Sequence, residues 1–168
     1  MSQEIYKPTI GEEEVLRPTR VEVDLNILAE NFCKIKVNAC NTLVMPILKA
    51  NAYGHGLVRV AVLMQKLKAD YLGVAVLEEG IILRKAGITI PILVLGGIWG
   101  NQIPQFIKYD LSITASSVGK LLQIEEIALQ MKKRARVHLK IDTGMERIDV
   151  HYYSAEKLLE ASLNCKNV

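Results

Sequence analysis

Lys49 closes an apolar run, Val44-Met45-Pro46-Ile47-Leu48, and a turn-forming stretch follows it, with Tyr53 four residues on and His55 between Gly54 and Gly56. An amine held in a low-dielectric mouth at a strand end loses proton affinity and becomes a nucleophile able to form a Schiff base with a carbonyl. The plainer alternative is a strand-end lysine reaching into solvent. Taken singly, Tyr53 reads as a packing residue with a wet hydroxyl, and His55 as a turn or cap residue. A second group lies far along the chain, where His138, Leu139, Lys140, Ile141, Asp142, Thr143, Gly144, Met145, Glu146 and Arg147 are consecutive. On a strand, Val137, Leu139 and Ile141 share one face while His138, Lys140 and Asp142 share the other. Ionisable groups aligned inside a sheet require partners, and Arg147, just past the strand, is an available one. The alternative is an edge strand with one solvated face.

Other chemistry is weakly represented. The three histidines and three cysteines show no C-x-x-C or H-E-x-x-H grouping, so no metal site is expected. Ser112, Ser116 and Ser117 lack the glycine-flanked setting of a nucleophile. Lys132, Lys133, Arg134 and Arg136 form a basic cluster that reads as a solvated helix end.

The elements that must position these residues alternate along the chain. Apolar runs begin at Val44, Leu72, Ile92, Leu111 and Val137. Helical patterns lie between them: Val60, Leu63, Met64 and Leu67 on one face; residues 78–86, with Gly87 where a helix-ending glycine belongs; a short helix within 103–108. Leu121, Ile124, Ala128 and Met131 follow a cap at Ser116 or Ser117, and Ser154 caps a helix ending near Asn164. Short apolar strands alternating with amphipathic helices predict an α/β fold of parallel strands joined by right-handed crossovers. Five such units fit an open doubly wound sheet or part of an eight-stranded barrel. The stretch after the first run is not a dinucleotide fingerprint, and 168 residues are too few for the roughly 250 of a complete barrel. Ahead of these units, Val21 and Val23 alternate with Glu22 and Asp24 as in a short strand. Asp24 or Asn26 then caps a helix carrying Leu28, Phe32 and Ile35. Residues 1–18, mixed and polar with an acidic triplet at 12–14, are expected to be a loosely ordered extension.

Composition agrees with a folded chain. Half the residues are hydrophobic and 23% are charged, which excludes a disordered protein. The net charge of +3 is too small and scattered to argue for nucleic-acid binding. The most apolar stretch, 88–99, is too short to cross a bilayer, and no secretory leader is visible at the start. Cys33, Cys40 and Cys165 form no disulfide framework. A soluble, cytoplasmic protein with neither membrane nor nucleic-acid partner is expected.

The two reactive segments together resemble a known family. Leu48-Lys49-Ala50-Asn51-Ala52-Tyr53-Gly54-His55-Gly56 is similar to the cofactor-lysine motif of the alanine racemases, pyridoxal-phosphate enzymes of bacterial cell-wall synthesis. Residues 138–147 resemble that family's second motif, H-L-K-x-D-T-G-M-G-R. Gly73-Val74-Ala75-Val76-Leu77-Glu78-Glu79-Gly80, and Ala86-Gly87-Ile88 through Leu95-Gly96, match in order and spacing. The likeness covers roughly residues 18–168.

The resemblance implies a partial TIM-type (β/α)8 barrel made of its first five βα units. It also implies that residues 21–24 are a short strand joining a β-rich C-terminal domain, so that 19–168 is the N-terminal part of the barrel domain and 1–18 an extension. The implied activity is interconversion of L- and D-alanine with pyridoxal 5'-phosphate by a homodimer, supplying D-alanine for peptidoglycan. Lys49 would hold the cofactor and serve as one of two opposed bases, on the D-alanine side. Tyr53 would contact the cofactor near its phosphate. Arg147 would bond the ring's phenolic oxygen and help hold the substrate carboxylate. Lys140 matches a lysine carbamylated in many members, whose added negative charge would fix Arg147. This sequence departs at Glu146 and Asp149, where glycines are usual; both add negative charge beside Arg147 and remove backbone freedom. The opposing tyrosine base and most of the phosphate loop lie in parts of the family beyond residue 168, so the chain is expected to be an N-terminal fragment without turnover of its own. Two other readings are a non-catalytic remnant that binds a partner, and a cofactor-free Schiff-base lyase on a similar barrel with Lys49 meeting the substrate carbonyl directly.

Overall fold

A computed structural model describes residue 19 and residues 21–168; the expected extension at 1–18 lies outside the described residues. The chain divides into two units, Met1–Thr42 and Leu43–Val168. In the first, α1 spans Leu25–Asn38. Asp24, rather than Asn26, caps it, its Oδ1 accepting from the amides of Asn26 at 2.7 Å and Ile27 at 3.2 Å. Phe32 is buried, but Ile35, expected on the same face, is 57% exposed. Residues 21–24 enter no sheet among the described residues; the β-rich domain they were expected to join is not among those residues. An extended segment becomes a strand only with a partner for its ladder, and no described strand runs beside this one.

The second unit carries the alternating pattern. Ile47 bridges Gly73 in parallel. β1 (Leu72–Val74) pairs in parallel with β2 (Ile92–Val94), Leu72 opposite Ile92. Leu93 bridges Ser112, and β3 (Ile113–Ala115) pairs in parallel with β4 (Val137–Leu139). The strands therefore stand side by side in sequence order. A doubly wound sheet reverses order at a switch point; a barrel does not. This order decides between the two architectures, and the chain forms five successive βα units of a TIM-type barrel. The intervening helices are α2 (Leu57–Lys66), α3 (Leu77–Lys85), α4 (Ile103–Lys108), α5 (Val118–Gln130) and α6 (Ala155–Asn164).

Burial follows the two periodicities. Leu72, Val74, Ile92, Val94 and Ile113 are essentially inaccessible, as are Met64, Leu83, Phe106, Leu121, Ile124 and Leu158 on the helices. Each such side chain contributes about 1.5–3 kcal/mol over an exposed one. Gly87 ends α3 as expected: at φ +83° it lets its own amide reach the Arg84 carbonyl and the Ile88 amide reach that of Leu83, both at 3.1 Å. Ser117 caps α5 through the Lys120 amide at 3.1 Å. Ser154 stands at the start of α6 but makes no capping bond, because a 3-10 turn over Tyr152–Ser154 leads into that helix.

The first apolar run is not a full strand. Its ladder is reduced to the bridge at Ile47, with the Gly73 amide on the Pro46 carbonyl and the Leu48 amide on the Gly73 carbonyl, while at its start the Asp70 amide donates to the Val44 carbonyl at 3.2 Å. The preceding rung would need an N–H at Pro46, which proline lacks. Among the described residues no helix is long and apolar enough to cross a membrane, and Cys33, Cys40 and Cys165 are free thiols.

Candidate active site

Lys49, Glu79, Lys140 and Arg147 all follow or end strands at the C-terminal edge of the sheet, the edge where barrels of this type place their chemistry. Lys49 is half-buried and begins an unusual turn. Ala50, Asn51, Ala52 and Tyr53 have φ of +52°, +56°, +52° and +54°, so four consecutive L-residues are left-handed before Gly54 at φ +88°. Each such residue costs roughly 1–2 kcal/mol, and runs of them are rare. The turn is held internally by the Ala52 amide on the Leu48 carbonyl at 2.8 Å and the Gly56 amide on the Asn51 carbonyl at 3.0 Å. The Leu57 amide donates to Asn51 Oδ1 at 2.8 Å, and His55 Nδ1 lies 2.8 Å from the Ala52 carbonyl oxygen. The turn brings Tyr53 back beside Lys49: the lysine Nζ lies 5.8 Å from the centroid of the tyrosine ring, which is 60% exposed. Strain of this kind persists only where surrounding bonds over-determine it, and it concentrates at functional sites.

The second segment folds around Asp142. Beyond β4, β5 (Ile141–Asp142) pairs in parallel with β6 (Val150–His151), and residues 143–149 loop between them. Asp142 Oδ1 accepts from the amides of Gly144 and Met145 at 2.8 Å and Glu146 at 3.1 Å. Its other oxygen lies 4.0 Å from His151 Nδ1. One carboxylate thus shapes the loop that ends at Arg147. Glu146 takes φ +51° there, so the residue standing where glycine is usual does occupy a left-handed position. Arg147 is exposed, and its guanidinium has no hydrogen-bond or ion-pair partner among the described residues. It is therefore not the partner of the ionisable row on the strand. Lys140 Nζ pairs instead with Asp149 Oδ1 at 2.5 Å, and the Asp149 side chain is only 4% exposed. Asp149 bears on Lys140, not on Arg147.

These bonds make the loop acid-sensitive. The amide of Glu146, with those of Gly144 and Met145 and the nearby His151, holds the Asp142 carboxyl below the usual aspartate range against the opposing effect of burial. A depressed folded value means that the stabilisation is complete above the unfolded value and is lost as pH falls through the folded one. In an NMR titration the amide resonances of Gly144, Met145 and Glu146 are expected to shift together, with a midpoint below the ordinary aspartate value. A common midpoint at or above that value refutes the arrangement.

Lys49 and Tyr53 are brought together, whereas Lys140 is engaged by a residue whose role sequence reasoning missed. Glu79 was also missed as a site residue: its Oε2 accepts from the Ala75 amide at 2.8 Å and its Oε1 from the Asn51 amide at 3.3 Å. Its place in the first turn of a helix was the available signal, since a carboxylate there reaches back toward free amides. A cleft of about 440 Å³ lined by Tyr71, Arg134, Arg136 and His138 lies toward the strand N-termini and away from Lys49. At the opposite edge stand an amine, a phenol and an unpaired guanidinium, a donor set that fits an aldehyde bearing a phosphate.

The family described as alanine racemase, N-terminal domain, matches residues 23–168. Alanine racemase 1 of Caldanaerobacter subterraneus subsp. tengcongensis is 43% identical over 134 residues, covering 79% of this chain and 34% of that protein. The chain thus spans about a third of the length of this curated relative. The solved alanine racemase of Clostridium difficile 630 is 38% identical with a TM-score of 0.80, over 85% of this chain and 38% of that one. A histidine racemase of Leuconostoc mesenteroides subsp. sake is 28% identical with a TM-score of 0.77, over 85% of this chain and 39% of that one. The chain belongs to the alanine racemase family, as its N-terminal barrel portion.

Proposed function

We propose that this chain is the cofactor-carrying part of a pyridoxal-phosphate-dependent alanine racemase, residues 19–168 forming the N-terminal part of its barrel domain. The observation that carries the proposal is the strained turn at the strand end, which sets Lys49 Nζ beside Tyr53. Alanine is the proposed substrate because the matching family is that of the alanine racemases and the curated relative at 43% identity is an alanine racemase. The enzyme would act as a cytoplasmic homodimer, supplying D-alanine for peptidoglycan.

Lys49 would hold the cofactor through Nζ and exchange a proton with the substrate α-carbon on the D-alanine side. Tyr53 would donate its exposed hydroxyl to the phosphate. Arg147 would supply charge-assisted bonds to the phenolic oxygen and to the substrate carboxylate. Pyridoxal phosphate, when bound, supplies the electron sink that makes the α-proton removable. Lys140 is the proposed carbamylation site; Asp149 already gives it an anionic partner, so a carbamate there has to displace Asp149.

The test is to incubate the chain with pyridoxal phosphate, reduce with borohydride and map the label. The label is expected on Lys49, and alanine turnover by the 168-residue chain is expected to be undetectable. Racemisation needs a base on each face of the substrate, and Lys49 is the proposed base on one face only. Label spread over lysines in proportion to exposure overturns the assignment of Lys49; racemisation by the purified chain overturns the division of the two bases.

A further inference from the structure

Glu79 is half-buried in the first turn of α3 and receives one amide from each of two neighbouring loops: Ala75, after β1, and Asn51, in the middle of the left-handed turn. The bonds that shape that turn run among residues 48–57 and would travel with it as a unit. Among the described residues, Glu79 is the side chain from another element that bonds the turn. Its carrier is rigid. Gly80 packs so closely on Leu111 that an added Cβ would lie 2.8 Å from Leu111 Cδ1. One turn further along the same helix, the Arg84 guanidinium donates to the carbonyls of Ile88, Ile90, Tyr109 and Asp110. A carboxylate at a helix N-terminus is moreover favoured by the helix dipole and accepts charge-assisted bonds from amides.

We infer that Glu79 is a positioning residue: it ties the Asn51 amide to the second βα loop and so sets the direction in which the turn presents Lys49 and Tyr53. Asn51 lies two residues from each of them, so a rotation of the turn about the strand end moves both together. A carboxylate suits the task because both of its oxygens accept, whereas an amide offers one acceptor and one donor, and a donor cannot receive the second N–H.

This inference rests on Lys49 being the cofactor lysine, and the experiment separates the two. Hydrogen exchange at the Asn51 and Ala75 amides needs no cofactor. In Glu79→Ala, exchange at Asn51 is expected to quicken by about fivefold to tenfold, the effect of one lost hydrogen bond. Borohydride-trapped pyridoxal phosphate at Lys49 should fall by a similar factor of about five to ten relative to label on exposed lysines. Circular dichroism and Tm monitor the fold. Glu79→Gln, which is isosteric, should quicken exchange at one of the two amides and retain part of the Lys49 label; this variant decides the matter if Glu79→Ala does not fold. Unchanged exchange at both amides in Glu79→Gln, or unchanged label at Lys49 in a folded Glu79→Ala, overturns the positioning role. Should the wild-type chain carry its label elsewhere, Lys49 loses its assignment. The exchange arm then still decides whether Glu79 holds the turn: faster Asn51 exchange in Glu79→Ala supports it and unchanged exchange removes it.

Discussion

Lys49→Ala is expected to leave the protein folded while abolishing its borohydride-trappable adduct with pyridoxal phosphate. In the active racemase it should lower turnover of alanine by at least about 10²–10⁴-fold, the range for losing a positioned proton-transfer group. Folding should barely change, because the lysine is half-buried and its recorded contact is the Tyr53 ring, worth about 0.5–1 kcal/mol at an exposed site. Lys49→Arg separates charge from chemistry. A guanidinium keeps the positive charge over the tyrosine and attracts a phosphate, but it does not deprotonate and so forms no covalent link and accepts no proton. The arginine variant should therefore fold and retain weak reversible affinity for pyridoxal phosphate while matching alanine in lacking adduct and turnover. Wild-type levels of adduct in either variant, or undiminished turnover when the substitution is made in a racemase active as a whole, would remove Lys49 from its role.

The strand positions could be anticipated because periodicity alone marks where apolar runs begin, whereas their side-by-side order could not. Leu72, Ile92 and Val137 open strands where the pattern put them, and the helices between them bury the faces that the 3.6-residue spacing selected. The misses have separate causes. Pro46 was visible within the first apolar run, yet its consequence appears only once Tyr71 and Gly73 are known to run beside it. Ser154 has the right residue type at a helix start, but the entering 3-10 turn decides whether its hydroxyl meets an amide.

The site was legible in its reactive groups and illegible in its supports. Lys49, Tyr53 and Arg147 stand out by chemical type and by order in two motifs. Nothing in Ala50-Asn51-Ala52-Tyr53, which contains no glycine, announces a left-handed turn; backbone sterics oppose it, and it is held by local bonds to Leu48 and from Leu57 together with the distant carboxylate of Glu79. On the second segment the ionisable row divides: Lys140 and Asp142 have partners as required, whereas His138 is exposed, as on an edge strand. The choice of Asp149 over Arg147 for Lys140 was set by the path of the 143–149 loop, which the Asp142 carboxylate directs. Among the described residues, Arg147 is left without an ion-pair partner.

The largest structural loss is expected from Arg84→Met, at a residue with no part in the chemistry. Its Nη1 donates to the carbonyls of Ile88 and Ile90 at 2.8 Å, Nε to Tyr109 at 3.1 Å and Nη2 to Asp110 at 2.9 Å. Those carbonyls belong to the loops that feed β2 and β3, so one guanidinium joins the N-terminal entries of two adjacent strands. Burial pulls the group below the ordinary arginine value, with Asp110 opposing that effect, and arginine remains charged throughout the working range. Methionine preserves much of the apolar stem but removes every donor. Hydrogen bonds from a charged group are worth about 1.5–3 kcal/mol each, but carbonyls at this half-exposed site regain water, which reduces the sum to a loss of about 2–4 kcal/mol. For a domain of this size that lowers Tm by roughly 6–15 °C. Arg84→Lys, whose three ammonium donors cannot span four carbonyls in the plane of a fork, should fall between the two. Denaturant melts measure the loss, and a change below about 0.5 kcal/mol in Arg84→Met would show that water replaces the fork without cost. Below the lowered Tm the variant should still trap pyridoxal phosphate at Lys49, because the close packing of Gly80 on Leu111 still seats the first turn of α3, which carries Glu79, without Arg84.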